Sequence, residues 1–392
     1  MVLNHKELFI ILNNQNLLYV RLFTAVIGIV GLLIYFKNYF KRTTLTFVFI
    51  YSLIIVYLLS VLTNNVQYES YGVLFFYVAV FCILPVLLEL LKTNGFIDKF
   101  IQNWIYVGIF TMLFQYLQYF ILVMYDYKLA SVWPVYSREG ELLEARYGST
   151  FWDVNHFGAY LVSLNFILVY KILSLVQDKT DFKNIINNWQ VKTYSLIILL
   201  NIFSIYLTKS RSALIGLIIS YILLIAILYK SVLKNRIINL GKTKLKIGLL
   251  VTVVLITAFF TVASPKLSDI FQGRGASIWA HKYLIEQGIS IGLDNPLFGV
   301  GLYNFKNVFI DEPGAKIYRF VDPIDIKNAL PLHSIWIELI AETGIASFMI
   351  YAIFIIFLNY YFLKTFRLDK KKYFLLAGLN SYLISGIVYS YR

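Results

Sequence analysis

Apolar stretches of about twenty residues recur along the whole chain and are separated by shorter polar segments. Each stretch is long enough to cross a hydrocarbon core of about 30 Å as an α-helix, and none alternates apolar and polar residues as a barrel strand does. The pattern therefore predicts an all-α fold, a polytopic membrane helix bundle of about ten transmembrane helices. The predicted spans are Leu17–Phe36, Leu45–Thr63, Tyr71–Leu91, Ile101–Tyr125, Phe157–Val176, Thr193–Leu207, Ser212–Tyr229, Ile247–Val262, Gly344–Leu363 and Tyr373–Tyr391.

Composition supports the membrane assignment. Hydrophobic residues make up 59% of the chain and charged residues only 14%, whereas soluble domains carry roughly 25% charged residues. The single cysteine, Cys82, lies in an apolar span, which excludes an intramolecular disulfide and a thiolate cluster for zinc. The first 16 residues lack the pattern of a removable signal peptide, so the first span is expected to direct insertion.

The net charge of +14 is explained by topology rather than by a nucleic-acid partner. Basic residues concentrate in the loops that follow the first, fifth, seventh and ninth predicted spans, and these loops all fall on one side of the membrane. The positive-inside rule makes that side cytoplasmic. We therefore expect a multi-pass protein of the cell inner (cytoplasmic) membrane, with Asp126–Asn155 and Ser264–Gly344 on the external face.

The polarity of the second external segment sets the predicted domains. Transmembrane helices one to eight occupy residues 1–263, with an external loop near 126–155; a long external active-site segment follows over 264–343; the last two helices occupy 344–392. Helical patterns inside the external segment cover Ala276–Ile289, ended by Gly288 and Gly292, and His333–Thr343, ended by Gly344.

Three cations are candidates for anion binding. Lys209 and Arg211 lie at the external boundary between two predicted spans, where a cation is solvated, paired or available to an anion. Snorkelling of both side chains to the lipid headgroups explains them equally well. Arg274 lies between two glycines, which let backbone amides approach an anion while the guanidinium clasps two phosphate oxygens. An ordinary exposed loop arginine is the alternative.

His333 is the candidate base. It precedes a predicted helix on which Trp336, Ile337 and Ile340 share its face by three-and-four spacing. A neutral imidazole at the lip of an apolar surface can take a proton from a sugar hydroxyl. A packing or capping histidine is the simpler alternative.

The acidic residues give weaker signals. Glu338 and Glu342 lie one helical turn apart, but a solvated helix face explains them more simply than a catalytic carboxylate pair. Asp322 and Asp325 are weak candidates for metal contact.

A further polar cluster leads into the fifth predicted span. Arg146, Asn155 and His156 lie there among aromatic residues, which suit a sugar as well as a membrane interface. Asn155 is also a candidate cap of the fifth helix, and His156 is better explained as an interfacial residue than as a base.

The order of these stretches resembles that of the O-antigen ligase and Wzy-type O-antigen polymerase superfamily, bacterial membrane glycosyltransferases of the GT-C kind. The matching stretches are Tyr147–Phe151 followed by Asn155, Thr208–Ala213, Asn295–Gly301 after Arg274 and Trp279, and His333 leading to Glu342–Ile345. One departure is Ser334, which stands where the family commonly has asparagine after the histidine.

The resemblance implies roles for individual residues. Arg211 and Arg274 bind the pyrophosphate of a polyprenyl-linked donor, and His333 activates or positions the acceptor hydroxyl; these three are the predicted catalytic residues. The predicted substrate-binding residues are Lys209, Arg146, Asn155, Trp336 and Glu342. No metal and no cofactor are expected, because fixed guanidinium groups can stabilise the leaving group. The implied partners are a polyprenyl-pyrophosphate-linked oligosaccharide, membrane lipids, a chain-length regulator and a flippase, with no nucleic acid.

The predicted function is polymerisation of undecaprenyl-pyrophosphate-linked oligosaccharide repeat units outside the cytoplasmic membrane, to build O-antigen, capsule or exopolysaccharide. The first alternative is an O-antigen ligase that transfers glycan to a lipid A core or another acceptor. A flippase or transporter of lipid-linked oligosaccharide is the second, although polar residues would then line the spans and not collect outside them. The third is a noncatalytic partner in an assembly complex.

Overall fold

The computed structural model describes residues 45–68, 70–78, 95–129, 131–136, 142–151, 153–176, 187–234, 275–311, 332, 334–365 and 372–388. The predicted spans Leu17–Phe36 and Ile247–Val262, and most of Tyr71–Leu91, lie outside these ranges. Arg274 and His333 lie outside them too, as do Asp322 and Asp325.

The described chain is mostly helical, as the apolar pattern predicts. Its elements in chain order are α1 (Leu45–Thr63), α2 (Phe96–Tyr125), β1 (Val132–Tyr136), β2 (Leu142–Tyr147), α3 (Val154–Val176), α4 (Trp189–Thr208), α5 (Arg211–Lys234), α6 (Gly275–Asp294), α7 (Phe305–Asp311), α8 (Ile335–Thr365) and α9 (Tyr373–Val388). The bounds of α1 are those of the second predicted span, and α2 to α5 extend the predicted spans by a few residues.

Length and composition make four of the described helices candidates for crossing a membrane. They are Phe96–Tyr125, Val154–Leu175, Trp189–Thr208 and Ile335–Lys364. Shorter apolar helices cover Val48–Thr63, Arg211–Leu224 and Tyr373–Ile384. The protein is therefore a multi-pass membrane protein, while the number of about ten spans stays a prediction.

Helix α8 contains a sharp bend at Gly344, where the backbone leaves helical geometry (φ 81°, ψ 172°). In a straight helix Trp336 and Tyr351 would lie about 22 Å apart along the axis, yet their ring centroids are 5.3 Å apart. The two arms of α8 therefore bend back toward each other. The arm over residues 345–365 is about 30 Å long and can cross a membrane alone. The predicted end of the preceding helix at Gly344 is confirmed.

A short two-stranded antiparallel sheet lies among the helices of the described chain, whose mostly helical content agrees with the predicted all-α class. Strands β1 and β2 pair Val132 with Tyr147 and Trp133 with Arg146, with an irregularity between Val135 and Tyr136. The sheet lies in the segment Asp126–Asn155, which the apolar pattern left as a loop. The sequence of β1 is rich in β-branched and aromatic residues, which favour strands, but the run is too short to stand out among long apolar spans.

The extent of α6 corrects the prediction that Gly288 and Gly292 end this helix. Gly288 and Gly292 do not end it, because α6 runs on to Asp294. A Cβ at Gly288 would lie 2.8 Å from Ile337 Cγ2, and one at Gly292 would lie 2.6 Å from Ile340 Cγ2. These glycines serve close helix packing, as small residues spaced four apart do in membrane bundles.

The described helices fall into two compact units, the first comprising residues 1–100, 283–332 and 336–358, and the second 101–282, 333–335 and 359–392. In the second unit α3 is central, because its apolar side chains are buried on every side, as expected of a core helix. Those buried residues are Phe157, Ala159, Leu161, Val162, Leu164, Phe166 and Leu168. Helices α4, α5 and α9 contribute Ile205, Ala213 and Ala377 to the same core.

The first unit has its own apolar core around α1 and α8. Leu53, Tyr57 and Val61 of α1 pack with Leu302 and with Leu339 of α8. This core holds the bend of α8 beside the segment that joins α6 to α7.

Candidate active site

The turn between α4 and α5 carries two of the predicted cations. Helix α4 ends at Thr208, and Lys209 closes it in the left-handed conformation (φ 48°, ψ 32°), with its N–H donating to the Tyr206 carbonyl. Ser210 caps α5, because its hydroxyl oxygen accepts from the Ala213 N–H at 3.3 Å and its carbonyl from the Leu214 N–H at 3.2 Å. The sequence Lys209–Arg211 therefore forms a fixed turn, not an extension of either helix.

The helix dipoles act differently on the two cations of this turn. Lys209 follows the C-terminus of α4, where the partial negative charge favours a cation. Arg211 is the first residue of α5 and partly buried, at the end where the dipole disfavours a cation and attracts an anion. The position of Arg211 thus suits the recognition of a negatively charged group.

Arg146 ties strand β2 to the ends of two helices. Its Nε donates to the Thr208 carbonyl at 3.0 Å, and its Nη2 donates to Asn155 Oδ1 at 2.9 Å. One guanidinium therefore holds the last turn of α4 beside the first turn of α3. The structure brings the predicted residues Arg146, Asn155, Lys209 and Arg211 into the same unit.

Asp153, and not Asn155, caps α3. The Asp153 carboxylate accepts from the Asn155 N–H at 2.6 Å and from the His156 N–H at 3.4 Å. Asn155 lies inside the first turn, and its side chain accepts from Arg146 instead. The expectation that Asn155 caps this helix is wrong, since the acidic side chain one residue before the helix reaches the free N–H groups first.

Two glutamines of α2 hold the stretch Tyr147–Phe151, and sequence reasoning missed both. Gln115 donates to the carbonyls of Tyr147 and Ser204, each at 3.1 Å. Gln118 exchanges two hydrogen bonds with the Ser149 backbone. The sequence signal that marks them is two amide side chains within an apolar span, which need hydrogen-bond partners when buried, although the sequence does not identify those partners.

Tyr147 anchors the same stretch in an apolar cluster with Leu122, Val132 and Leu207. Burial, with a smaller contribution from Tyr119, raises the pKa of the Tyr147 hydroxyl to about 12. The contacts of Tyr147 with this cluster hold the end of β2 in place.

Glu342 in the first unit is buried rather than solvated, with 2% of its surface exposed. Its carboxylate accepts from the Tyr303 N–H at 2.8 Å and from the Phe305 N–H at 3.3 Å, at the start of α7. Glu338, one turn earlier, is also buried. The interpretation of this pair as a solvated helix face is wrong, because the bend of α8 brings that face against the segment leading into α7.

The stretch Asn295–Gly301 clamps the bend at Gly344 through backbone hydrogen bonds. Val300 donates to the Ala341 carbonyl at 2.9 Å and Gly301 to the Glu342 carbonyl at 3.0 Å. The Ile345 N–H in turn donates to the Pro296 carbonyl at 2.8 Å. The groups that the bend frees from the helix ladder are thereby satisfied.

Trp336 packs inside the first unit. Its ring lies 5.9 Å from that of Phe348 in an edge-on arrangement and 5.3 Å from that of Tyr351. Ile337 and Ile340, predicted on the same apolar face, lie against Gly288 and Gly292 of α6. The face forms part of the packing of this unit.

The predicted site residues thus divide into three sets. Arg146, Asn155, Lys209 and Arg211 lie in the second unit, while Trp336 and Glu342 lie in the first. Arg274 and His333 lie outside the described residues. Among the residues that the structure describes, no group of three His, Cys, Asp or Glu side chains is placed to hold a metal ion.

A comparison with known families identifies the part of the chain that carries most of these features. A search of curated proteins finds no match. Residues 196–352 match the family model Wzy_C, described as O-antigen ligase. The matched region begins in α4, ends in α8 and includes Lys209, Arg211, Arg274, His333 and Glu342. The match indicates membrane glycan processing of the ligase or polymerase type. Residues 196–352 are thus similar to the O-antigen ligase family, as the order of the sequence motifs predicts.

Proposed function

We propose that the protein is a membrane glycosyltransferase that polymerises undecaprenyl-pyrophosphate-linked oligosaccharide repeat units on the external face of the cytoplasmic membrane. The observation that carries the proposal is the position of Arg211. It lies within the family-matched region, partly buried, at the end of α5 that attracts anions. A pyrophosphate is the charged part of a lipid-linked glycan donor, and Arg211 suits its recognition.

The proposed reaction is a glycosyl transfer. The acceptor hydroxyl oxygen attacks the anomeric carbon of the donor, and the bond from that carbon to the pyrophosphate oxygen breaks. The polyprenyl pyrophosphate leaves with the bonding electrons, and the hydroxyl proton passes to His333. Arg211 and Arg274 stabilise the charge that develops on the leaving group, and Lys209 adds to the local positive potential.

A direct assay tests this proposal. The purified protein receives lipid-linked repeat units without nucleotide sugar or divalent metal, and the products are sized on a gel. A ladder of products supports polymerisation. Loss of one charge-assisted contact is worth about 1.5–3 kcal/mol, so Arg211→Ala and Arg274→Ala should each lower kcat/KM about 10- to 100-fold.

His333→Ala should abolish most of the transfer, because it removes the proton acceptor. Lys192→Ala is the matched control for the cations, since Lys192 is an exposed basic residue of α4. If the two arginine variants and His333→Ala all produce the wild-type ladder, the site assignment is wrong even when the function is right.

The description of the matched family favours a second function, that of a ligase. A ligase would transfer one glycan to a lipid A core or another acceptor and give a single product in place of a ladder. The same assay with both acceptors separates the two functions. No new bond in either arm contradicts both and favours a flippase. A chain-length regulator and a flippase are the protein partners that a polymerase of this kind would need.

A further inference from the structure

The buried face of α2 contains two amides among apolar residues. Gln115 and Gln118 continue the stripe of Gly108, Thr111 and Leu122, at helical spacings of three and four. Both glutamines are 0% exposed. A buried amide is unfavourable unless it is hydrogen-bonded, so the partners of these two side chains indicate what they do.

Gln118 holds one residue, Ser149, by both of its amide groups. Its Nε2 donates to the Ser149 carbonyl at 3.0 Å, and its Oε1 accepts from the Ser149 N–H at 2.9 Å. The Ser149 hydroxyl also donates to the Thr111 carbonyl of α2 at 2.6 Å. Ser149 has a positive φ of 58°, a conformation that a serine rarely adopts. Helix α2 thus fixes this strained residue by three hydrogen bonds.

Gln115 joins β2 to α4. Its single Nε2 group donates to the carbonyl of Tyr147, at the end of β2, and to that of Ser204, in the last turns of α4. Arg146, the neighbour of Tyr147, adds a second connection to α4 through the Thr208 carbonyl. The end of α4 that leads into Lys209 and Arg211 is therefore held at two points, by Gln115 of α2 and by Arg146 of β2.

We propose that Gln115 and Gln118 are positioning residues for the transfer reaction. They hold the stretch Tyr147–Ser149 against α2, and Gln115 also holds the end of α4 against α2. In this way they determine the positions of Arg146 and Arg211. This inference rests on the proposed function, because it assigns the turn that carries Arg211 to donor binding. The two glutamines act through that turn.

Substitution by methionine tests the proposal, since methionine is also unbranched and of similar length but offers no amide. Gln115→Met and Gln118→Met, made in the full-length protein, should each lower kcat about 10- to 100-fold, because a small misplacement of binding groups has effects of that size. Because the displaced turn is assigned to donor binding, the KM for the lipid-linked donor should rise, while the KM for the acceptor should change less than about 3-fold. The matched control is Gln102→Met, on the same helix and half-buried, which should behave as wild type.

Hydrogen exchange supplies a readout independent of catalysis. The Ser149 amide should exchange faster in Gln118→Met than in wild type, while amides of the α3 core keep their protection and the melting temperature stays close to that of Gln102→Met. Gln118→Asn retains both amide groups at a shorter reach and should give an intermediate loss of kcat. This milder variant decides the question if Gln118→Met does not fold.

The outcomes are separable. An active wild-type protein whose Gln115 and Gln118 variants match it in kcat overturns this inference and leaves the proposed function standing. A loss of kcat also overturns it if the amides of α3 exchange faster to the same extent as the Ser149 amide, because the glutamines would then support the fold in general. A wild-type protein that transfers no glycan overturns the proposed function, and this inference with it.

Discussion

Within the described part of the family-matched region, the turn between α4 and α5 and the bend of α8 each interrupt a helix path, and they are held by different means. At the turn between α4 and α5 the left-handed residue is Lys209, and side chains fasten the surroundings: Arg146 on Thr208, and Gln115 on Ser204. At the bend of α8 the residue of positive φ is Gly344, and backbone groups of Asn295–Gly301 hold it in place. One interruption depends on side chains and the other on the close approach of two main chains.

The difference determines how each place responds to change. A side-chain brace loses one or two hydrogen bonds when a residue is replaced, and the backbone can keep its path. At the bend, a Cβ on Gly344 would lie 2.2 Å from the Leu297 carbonyl oxygen, and one on Gly299 would lie 2.3 Å from the Glu342 carbonyl carbon. Because both neighbours are backbone atoms, nothing can rotate away. Substitutions near the Arg211 turn should therefore shift its geometry gradually. Substitutions of the glycines at the bend should instead prevent the bend from forming.

The largest effect is expected from Gly344→Ala. A residue with a side chain at φ 81° is strained by about 1–3 kcal/mol, and the overlap with Leu297 adds about 1–3 kcal/mol more. The variant should lose most of its folded, monodisperse protein after extraction, measured by size-exclusion chromatography and thermal unfolding. Gly72→Ala is the matched control: Gly72 is helical with nothing within 4 Å of the added Cβ, so stability should rise by about 0.5–1 kcal/mol. If Gly344→Ala has the same melting temperature as the wild type, the backbone around Leu297 can move to accommodate the added Cβ, and the prediction is wrong.

Glu342→Ala comes next, because it removes a side chain that makes two hydrogen bonds beside the bend. The N–H groups of Tyr303 and Phe305 lose their acceptor, at about 1–3 kcal/mol for each buried donor left unsatisfied. The melting temperature should therefore fall markedly, and Glu342→Gln, which retains one acceptor oxygen, should fall less. If Glu342 binds substrate instead, as the family resemblance implies, KM will rise while the melting temperature stays near that of the wild type.

The two places also differ in what the sequence alone could predict. The break at Gly344 was predictable because a glycine at the end of a helical pattern is a local signal, and the bounds of α1 followed from an uninterrupted apolar run. Gln115 and Gln118 escaped prediction because their partners lie about thirty to ninety residues away in the chain. Gly288 and Gly292 were misread as helix ends for the same reason, since only the neighbouring α8 reveals them as packing positions.

Arg146→Lys tests the side-chain brace, with a smaller expected effect. Lysine keeps the positive charge but is a single point donor, so it cannot hold Thr208 and Asn155 with the geometry of a guanidinium. We expect a loss of about 1.5–3 kcal/mol in stability, nearly as large for Arg146→Lys as for Arg146→Gln. Thermal unfolding measures this, and donor KM is measured in parallel. If the donor KM rises strongly in Arg146→Gln but stays near the wild-type value in Arg146→Lys, the positive charge of Arg146 contacts the substrate instead.

The smallest effect is expected from Ser60→Ala, which removes a side-chain contact from the place that the backbone holds. The Ser60 hydroxyl donates to the Glu342 carbonyl at 2.7 Å, but that carbonyl also accepts from the Gly301 N–H at 3.0 Å. Since the carbonyl stays satisfied, the loss should be only about 0.5–1.5 kcal/mol. Ser220→Ala is the matched control, because the Ser220 hydroxyl is buried and has no hydrogen-bond partner within the described part of the chain; it should unfold at or slightly above the wild-type temperature. If Ser60→Ala destabilises the protein as much as Glu342→Ala does, the bend relies on side chains as the Arg211 turn does, and the distinction between the two places is lost.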